Sequence, residues 1–239
     1  MNVKLIYMNF LSHTFTFTGH EIAAWISVIL IWISTIRYIQ AIILRKTLPN
    51  IVGWLLYELS TLCVLLTSFE LDSMSTIFAS GAYIVSQTII IGFTIKYGYA
   101  KMHSTDFIYF GISMLSLILW GFFALNPELS ESLWLKPHMI AVIVLITNTI
   151  IDLMGAISIF TKLYLIPESE DSLAWFLSFL SGFFSVLAIE HFTVHDMIYP
   201  VYLLTSNLAI WLLCFRKKPR FRFKLFFKIL INRFIPTNR

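Results

Sequence analysis

Residues 37–54 read RYIQAIILRKTLPNIVGW and residues 155–175 read GAISIFTKLYLIPESEDSLAW. Each stretch is the tail of an apolar helix, a basic residue, a short loop bearing one proline, and a tryptophan that opens the next apolar helix. Setting Pro49 on Pro167 separates equivalent residues by 118, and three extra residues in the second loop then set Trp54 on Trp175. Such a repeat says which helices correspond and therefore where a shared site would lie.

The chain around the repeat is too apolar for water. Of 239 residues, 58% are hydrophobic and 13% charged, and the mean hydropathy is +0.81. Soluble domains carry about a quarter charged residues. A hydrocarbon core about 30 Å thick takes roughly 20 apolar residues per helix, and a helix satisfies its own backbone polar groups. On that length the sequence predicts an all-α, multi-pass membrane protein with spans at 21–44, 52–69, 74–95, 107–125, 139–165, 173–191 and 198–215. No secretory signal stands out in the first twenty residues. The two cysteines, Cys63 and Cys214, fall inside spans and read as small apolar residues.

Lys and Arg decide orientation. The side holding the repeated loops carries Arg45, Lys46, Lys96, Lys101, Lys162 and nine further cations from Arg216 to Arg239, against Lys4 and Lys136 on the other side. The expectation is an N-terminus outside and a C-terminus in the cytoplasm of a cell membrane, most simply a bacterial inner membrane. The tail mixes cations with Phe, Leu and Ile, which suits a helix lying on anionic lipid head groups or, more simply, enforcing topology.

Seven spans with matching loops after the first and fifth imply a three, one, three plan. Because three is odd, one linker span places both triplets in the same orientation, as parallel repeats. The expected organisation is an outer segment 1–20, a first triple-helix repeat 21–103, a linker helix 104–136, a second repeat 137–215 and a basic tail 216–239. A separation of 120 in the third helices sets Ser86 on Ser206 and Gln87 on Asn207, a hydroxyl followed by an amide in both.

This layout resembles the PQ-loop clan, which includes the SWEET sugar facilitators and lysosomal amino-acid exporters. The two loops also look like a signature of uncharacterised bacterial seven-span proteins. The resemblance implies a translocation path between the triplets, lined by an amide in each third helix, here Gln87 and Asn207. The Pro-Gln pair that names the clan is absent: Gln40 follows Ile39, and Gln87 follows Ser86.

Polar side chains inside spans are costly and face protein or a wet cavity. Asn148, Asp152, Gly155 and Lys162 share one face of span five, within about 80° of one another at 3.6 residues per turn. Asp152 reads as a substrate anchor or protonatable coupling group, or else as a structural partner of Arg37. Gln87, Asn207, Ser86, Ser206 and Asn148 read as solute-binding groups or as interhelical glue. Trp54 and Trp175 read as interfacial anchors or as a gate, with Glu58 and Arg37 in the same vestibule. His191 and His195, four apart, have chelate spacing if helical, and otherwise belong to a solvated loop.

The leading expectation is a carrier or facilitator for a small polar solute of sugar, amino-acid or vitamin type. The alternative is a structural or assembly protein whose repeat is only packing. The chain has no HExxH, no GxSxG and no phosphate loop, so an enzyme is not expected. Neither a cofactor, a metal nor a nucleic-acid partner is expected, and a second copy of the chain stays open as a partner.

Overall fold

Helices start where the chain offers caps and stop where it offers polar breaks. A computed structural model describes residues 18–47, 49–98, 104–126, 128 and 137–215. Its long helices are α1 (Gly19–Ile43), α2 (Ile51–Glu70), α3 (Met74–Tyr97), α4 (Ser104–Leu125), α5 (Pro137–Leu165), α6 (Ser172–Leu187) and α7 (Val194–Cys214), with a 3-10 turn at Pro167–Ser169. Thr18 and Glu21 form a capping box at the start of α1. Asn50 caps α2 by accepting from the Val52 N–H, and Asp171 caps α6 by accepting from Ala174. Each supplies an acceptor to a helix N–H that has no partner within the helix. The outer segment, Lys101, Lys136 and the basic tail lie outside the described residues.

Six of these helices are long and apolar enough to cross a membrane. The exception is α6: residues expected to span 173–191 form only 16 residues of helix, ending at Leu187. At 1.5 Å per residue that is about 24 Å, short of a hydrocarbon core. The seventh helix starts earlier than its hydropathy suggests, because Thr193 caps it by accepting from the Asp196 N–H. His195 and Asp196 are therefore in its first turn rather than in a loop, while His191 precedes the helix. The chelate spacing is not realised: His195 instead stacks edge-on against His138 at 5.3 Å and lies 3.7 Å from Asp196.

The bundle is apolar outside and buries many small polar side chains among its apolar ones. Ile22, Trp25, Ile29, Ile33 and Ile36 run exposed along α1, and Phe107, Ile108, Leu115, Ile118 and Phe122 along α4. Ser27, Ser34, Thr35, Ser60, Thr61, Ser181 and Ser185 are buried between helices. Small hydroxyl residues let backbones approach and bond across the seam. Ser27 pairs with Ser181 at 3.1 Å and Ser185 at 2.8 Å, and Ser34 with Ser178 at 2.8 Å. Other hydroxyls donate back along their own helix, as Thr67 does to the Cys63 carbonyl at 2.8 Å and Ser80 to that of Thr76 at 2.6 Å, which satisfies them without a partner helix.

Packing sets the order of helices. α3 lies between α1 and α2, and α7 lies between α5 and α6; the two sets meet along α1 against α6 and α2 against α5. Among the described residues α4 packs mainly on α2 and α5, outside the rest. Gly182 permits the close approach of α6 to α7: a Cβ there would lie 2.8 Å from the Leu204 backbone.

Candidate functional site

Where the two sets of three meet lies a cavity of about 70 Å³ lined by every long helix except α4. α1 supplies Ser34, Thr35 and Tyr38; α3 supplies Tyr83, Ser86 and Gln87; α5 supplies Asp152 and Ala156. Trp54 and Tyr57 come from α2, Trp175 and Ser178 from α6, and Tyr199, Tyr202, Ser206 and Asn207 from α7. Apolar clusters lie toward both ends of it. Tyr38, Ile42, Ile90, Leu163, Trp175 and Ile210 pack at the end bearing the repeated loops, and Val64, Leu71, Ala79, Leu145, Tyr199 and Leu203 at the far end.

The polar groups are held rigidly. Asp152 is 4% exposed, accepts from the Ser60 hydroxyl at 2.9 Å, and has Tyr202 alongside. Tyr57, Tyr83 and Tyr199 are also near enough to interact with its charge. Gln87 donates from Nε2 to Thr61 at 3.2 Å, while its Oε1 is buried and has no protein partner. Asn207 donates to the Tyr83 hydroxyl and to the Ser178 carbonyl, both at 3.3 Å. Ser86 pairs with Thr35, joining α3 to α1. Ser206 lines the cavity and donates weakly to the Leu203 carbonyl at 3.4 Å.

Three residues singled out from sequence lie elsewhere. Asn148 is fully buried but turned to α4, donating to Ser116 at 2.9 Å and to its own Val144 carbonyl at 2.9 Å. Glu58 accepts from Thr88 at 2.6 Å on the α2–α3 seam, outside the cavity. Arg37 does not pair with Asp152. Its guanidinium grips Asp171, Nε to Oδ1 at 3.2 Å and Nη2 to Oδ2 at 3.0 Å, a bidentate geometry that only a planar fork provides. Trp54 and Trp175 do line the cavity, and Tyr38 stands between them with ring centroids at 5.4 and 6.0 Å.

Sequence reasoning missed two groups. One is the tyrosines, which read as ordinary aromatics until five of them converge; the spacing of Tyr199 and Tyr202, three apart on one helix face, was the available signal. The other is Glu170, 7% exposed in the second loop. It accepts from Lys162 at 2.6 Å, from Thr47 of the first loop at 3.1 Å and from the Trp175 indole at 3.2 Å. Its signal was the acidic run ESED inside an otherwise basic side of the chain. Glu170 and Asp171 thus tie the two repeated loops and α1 together beneath the aromatic layer.

The arrangement defines a class: an all-helical bundle with six helices able to cross a membrane and a small, aromatic-walled polar cavity at its centre. Compared with known proteins, the chain matches no family model, no curated protein and no solved structure.

Proposed function

We propose that this chain is a multi-pass membrane carrier or facilitator for a small polar solute, built from two parallel triple-helix repeats joined by α4, with the central cavity on its path. The observation that carries the reading is a central cavity to which both triplets contribute, with Gln87 and Asn207 at equivalent third-helix positions and Asp152 between them in the chain.

The repeat is supported position by position. The first helices of the two triplets start 118 residues apart, the second 121 and the third 120, the separations that the loops and third helices require in the sequence. N-caps pair at the same separations, Asn50 with Asp171 and Ser73 with Thr193. So do cavity positions: Ser34 with Asp152, Trp54 with Trp175, Tyr57 with Ser178, Ser86 with Ser206, Gln87 with Asn207 and Ile90 with Ile210. Exchanging the triplets also exchanges the α1–α6 seam with the α2–α5 seam. A two-fold axis along the membrane normal produces such an exchange.

In this reading the triplets rock against each other along those two seams. Both repeated loops face the cytoplasm, where Arg37–Asp171, Lys162–Glu170 and the Trp54–Tyr38–Trp175 layer close that end. Purified full-length protein in proteoliposomes tests it, with radiolabelled amines, polyols, amino acids and vitamins offered with and without a proton gradient. Uptake of at least one above empty vesicles is expected, with loss on Asn207→Leu. A protein that moves none of them while remaining folded refutes the reading and leaves a packing role for the repeat.

A further inference from the structure

Resting on the carrier reading, we propose that the solute is a small amine, a compact ammonium ion without a carboxylate of its own. Asp152 is the only ionisable side chain other than tyrosine that lines the cavity, and no Lys, Arg or His lines it among the described residues. The two cations nearest in the sequence pattern are committed at the loop end, Arg37 to Asp171 at 3.0 Å and Lys162 to Glu170 at 2.6 Å. A carboxylate buried away from water needs a proton or a cation beside it. Within this cavity the protein supplies hydroxyls and aromatic rings but no cation.

The remaining walls favour the same ligand. Tyr38, Trp54 and Tyr57 interlock with ring centroids 5.4 and 5.7 Å apart, and Tyr199 and Tyr202 flank Asp152 from α7. Aromatic faces around a carboxylate attract ammonium ions through the ring quadrupole. The amide nitrogens are already engaged, Gln87 with Thr61 and Asn207 with Tyr83 and Ser178. Unengaged in the site are the Gln87 Oε1 acceptor and the Tyr199 hydroxyl, which can accept as well as donate. Both can receive the N–H donors of an ammonium solute.

Size and charge narrow the class further. At about 70 Å³, against the roughly 10–15 Å³ that a single water requires, the cavity is small and favours a solute of a handful of heavy atoms over a hexose. An amino acid of that size would bring a carboxylate with no cation to receive it. A neutral polyol would leave Asp152 to be neutralised by a proton, whereas an ammonium ion supplies the cation itself.

The test is uptake of radiolabelled ethanolamine, choline, glycerol and glycine into proteoliposomes holding the full-length protein, wild type or Asp152→Asn. Ethanolamine or choline uptake is expected to exceed glycerol and glycine uptake, and to fall about thirtyfold or more in Asp152→Asn, the factor set by losing one partner of a buried charge pair. Asp152→Glu, which keeps the charge, is expected to restore part of it. Each variant is checked for an unchanged melting profile in detergent, and a variant that melts early is replaced by competition of unlabelled ethanolamine against labelled choline in the wild type. Uptake of glycerol or glycine without either amine overturns this inference and leaves the carrier reading standing. Equal amine uptake by wild type and Asp152→Asn overturns it as well. Uptake of none of the four, nor of any other solute, refutes the carrier reading and this inference with it.

Discussion

Replacing Gly182 by alanine perturbs the helix contact that holds Asn207 in the cavity wall. The added Cβ would stand 2.8 Å from both the Cα and the N of Leu204 and 3.1 Å from the Leu203 carbonyl carbon. These are backbone atoms of α7, so no side chain can swing aside. Restoring ordinary contact at 3.4 Å or more requires α6 and α7 to part by about 0.6 Å. Overpacking of this kind costs about 1–3 kcal/mol. Alanine also gains helix propensity over glycine, by up to about 1 kcal/mol. The control is Gly92→Ala on α3, where nothing lies within 4 Å of the new Cβ, so that the propensity gain is common to both variants. The difference between the two then isolates the clash. At about 2–4 °C per kcal/mol for a chain of this length, Gly182→Ala should melt about 2–12 °C below Gly92→Ala. Intrinsic tryptophan fluorescence during heating in detergent provides the measurement, and amine uptake by the same variants shows whether parting the helices also detaches Asn207 from Ser178. Equal melting temperatures for the two alanine variants would refute the α6–α7 packing described above.

Glu170 and Lys162 form a buried pair that also holds Thr47 and Trp175; Glu170→Gln, Lys162→Met and the double variant should show a coupling energy of about 1–3 kcal/mol in a thermal double-mutant cycle, whereas additive effects would count against the pair. Asp171 both grips Arg37 and caps α6, so Asp171→Asn, which keeps a capping oxygen, should be about 1 kcal/mol more stable than Asp171→Ala; equal melting points would remove the capping role. Cys63 is fully buried against α4, within 3.8 Å of the Ser113 carbonyl, and Cys214 is partly exposed at the last turn of α7. In single-cysteine variants followed by mass spectrometry, maleimide should therefore modify Cys214 in the folded protein and Cys63 only after denaturation. Rapid labelling of native Cys63 would mean that α4 does not cover α2 as described.

Much of the architecture is local information and was legible on that account. An apolar run long enough to cross a bilayer ends where a polar or proline-bearing break begins, and Asn50 and Asp171 are cap-type residues at their helix starts, whereas the helix capped by Thr193 starts ahead of the expected 198. The sixth helix was harder to bound, because the apolar residues Ala188 and Ile189 continue past its last turn at Leu187, and composition does not reveal where such a run stops being helical. Part of the cavity was also legible. Gln87, Asp152, Asn207, Ser86, Ser206, Trp54 and Trp175 all line it, since polar side chains in an apolar bundle have few other places to go.

Asn148 and Asp152 show where sequence reasoning ends. They lie four apart, on one face of α5, yet Asn148 binds Ser116 on α4 while Asp152 faces the cavity with Ser60. Helical periodicity places both side chains on the same stripe; it says nothing of which neighbouring helix covers each turn of that stripe. Arg37 follows the same logic. Its partner is Asp171 because the second loop carries that residue to the start of α6, beside α1, an outcome that depends on how two distant segments pack.

The sequence by itself determined that this chain is a set of apolar helices, and it suggested the proposed correspondence of residues near 118 to 121 apart, because hydropathy, caps and loop spacing are written along the chain. Only the tertiary structure decided that five tyrosines, one carboxylate and two amides share a single small cavity without a cation among its lining residues. Convergence of side chains from six helices is a property of packing, and packing is fixed by shape across the bundle rather than by order along the chain.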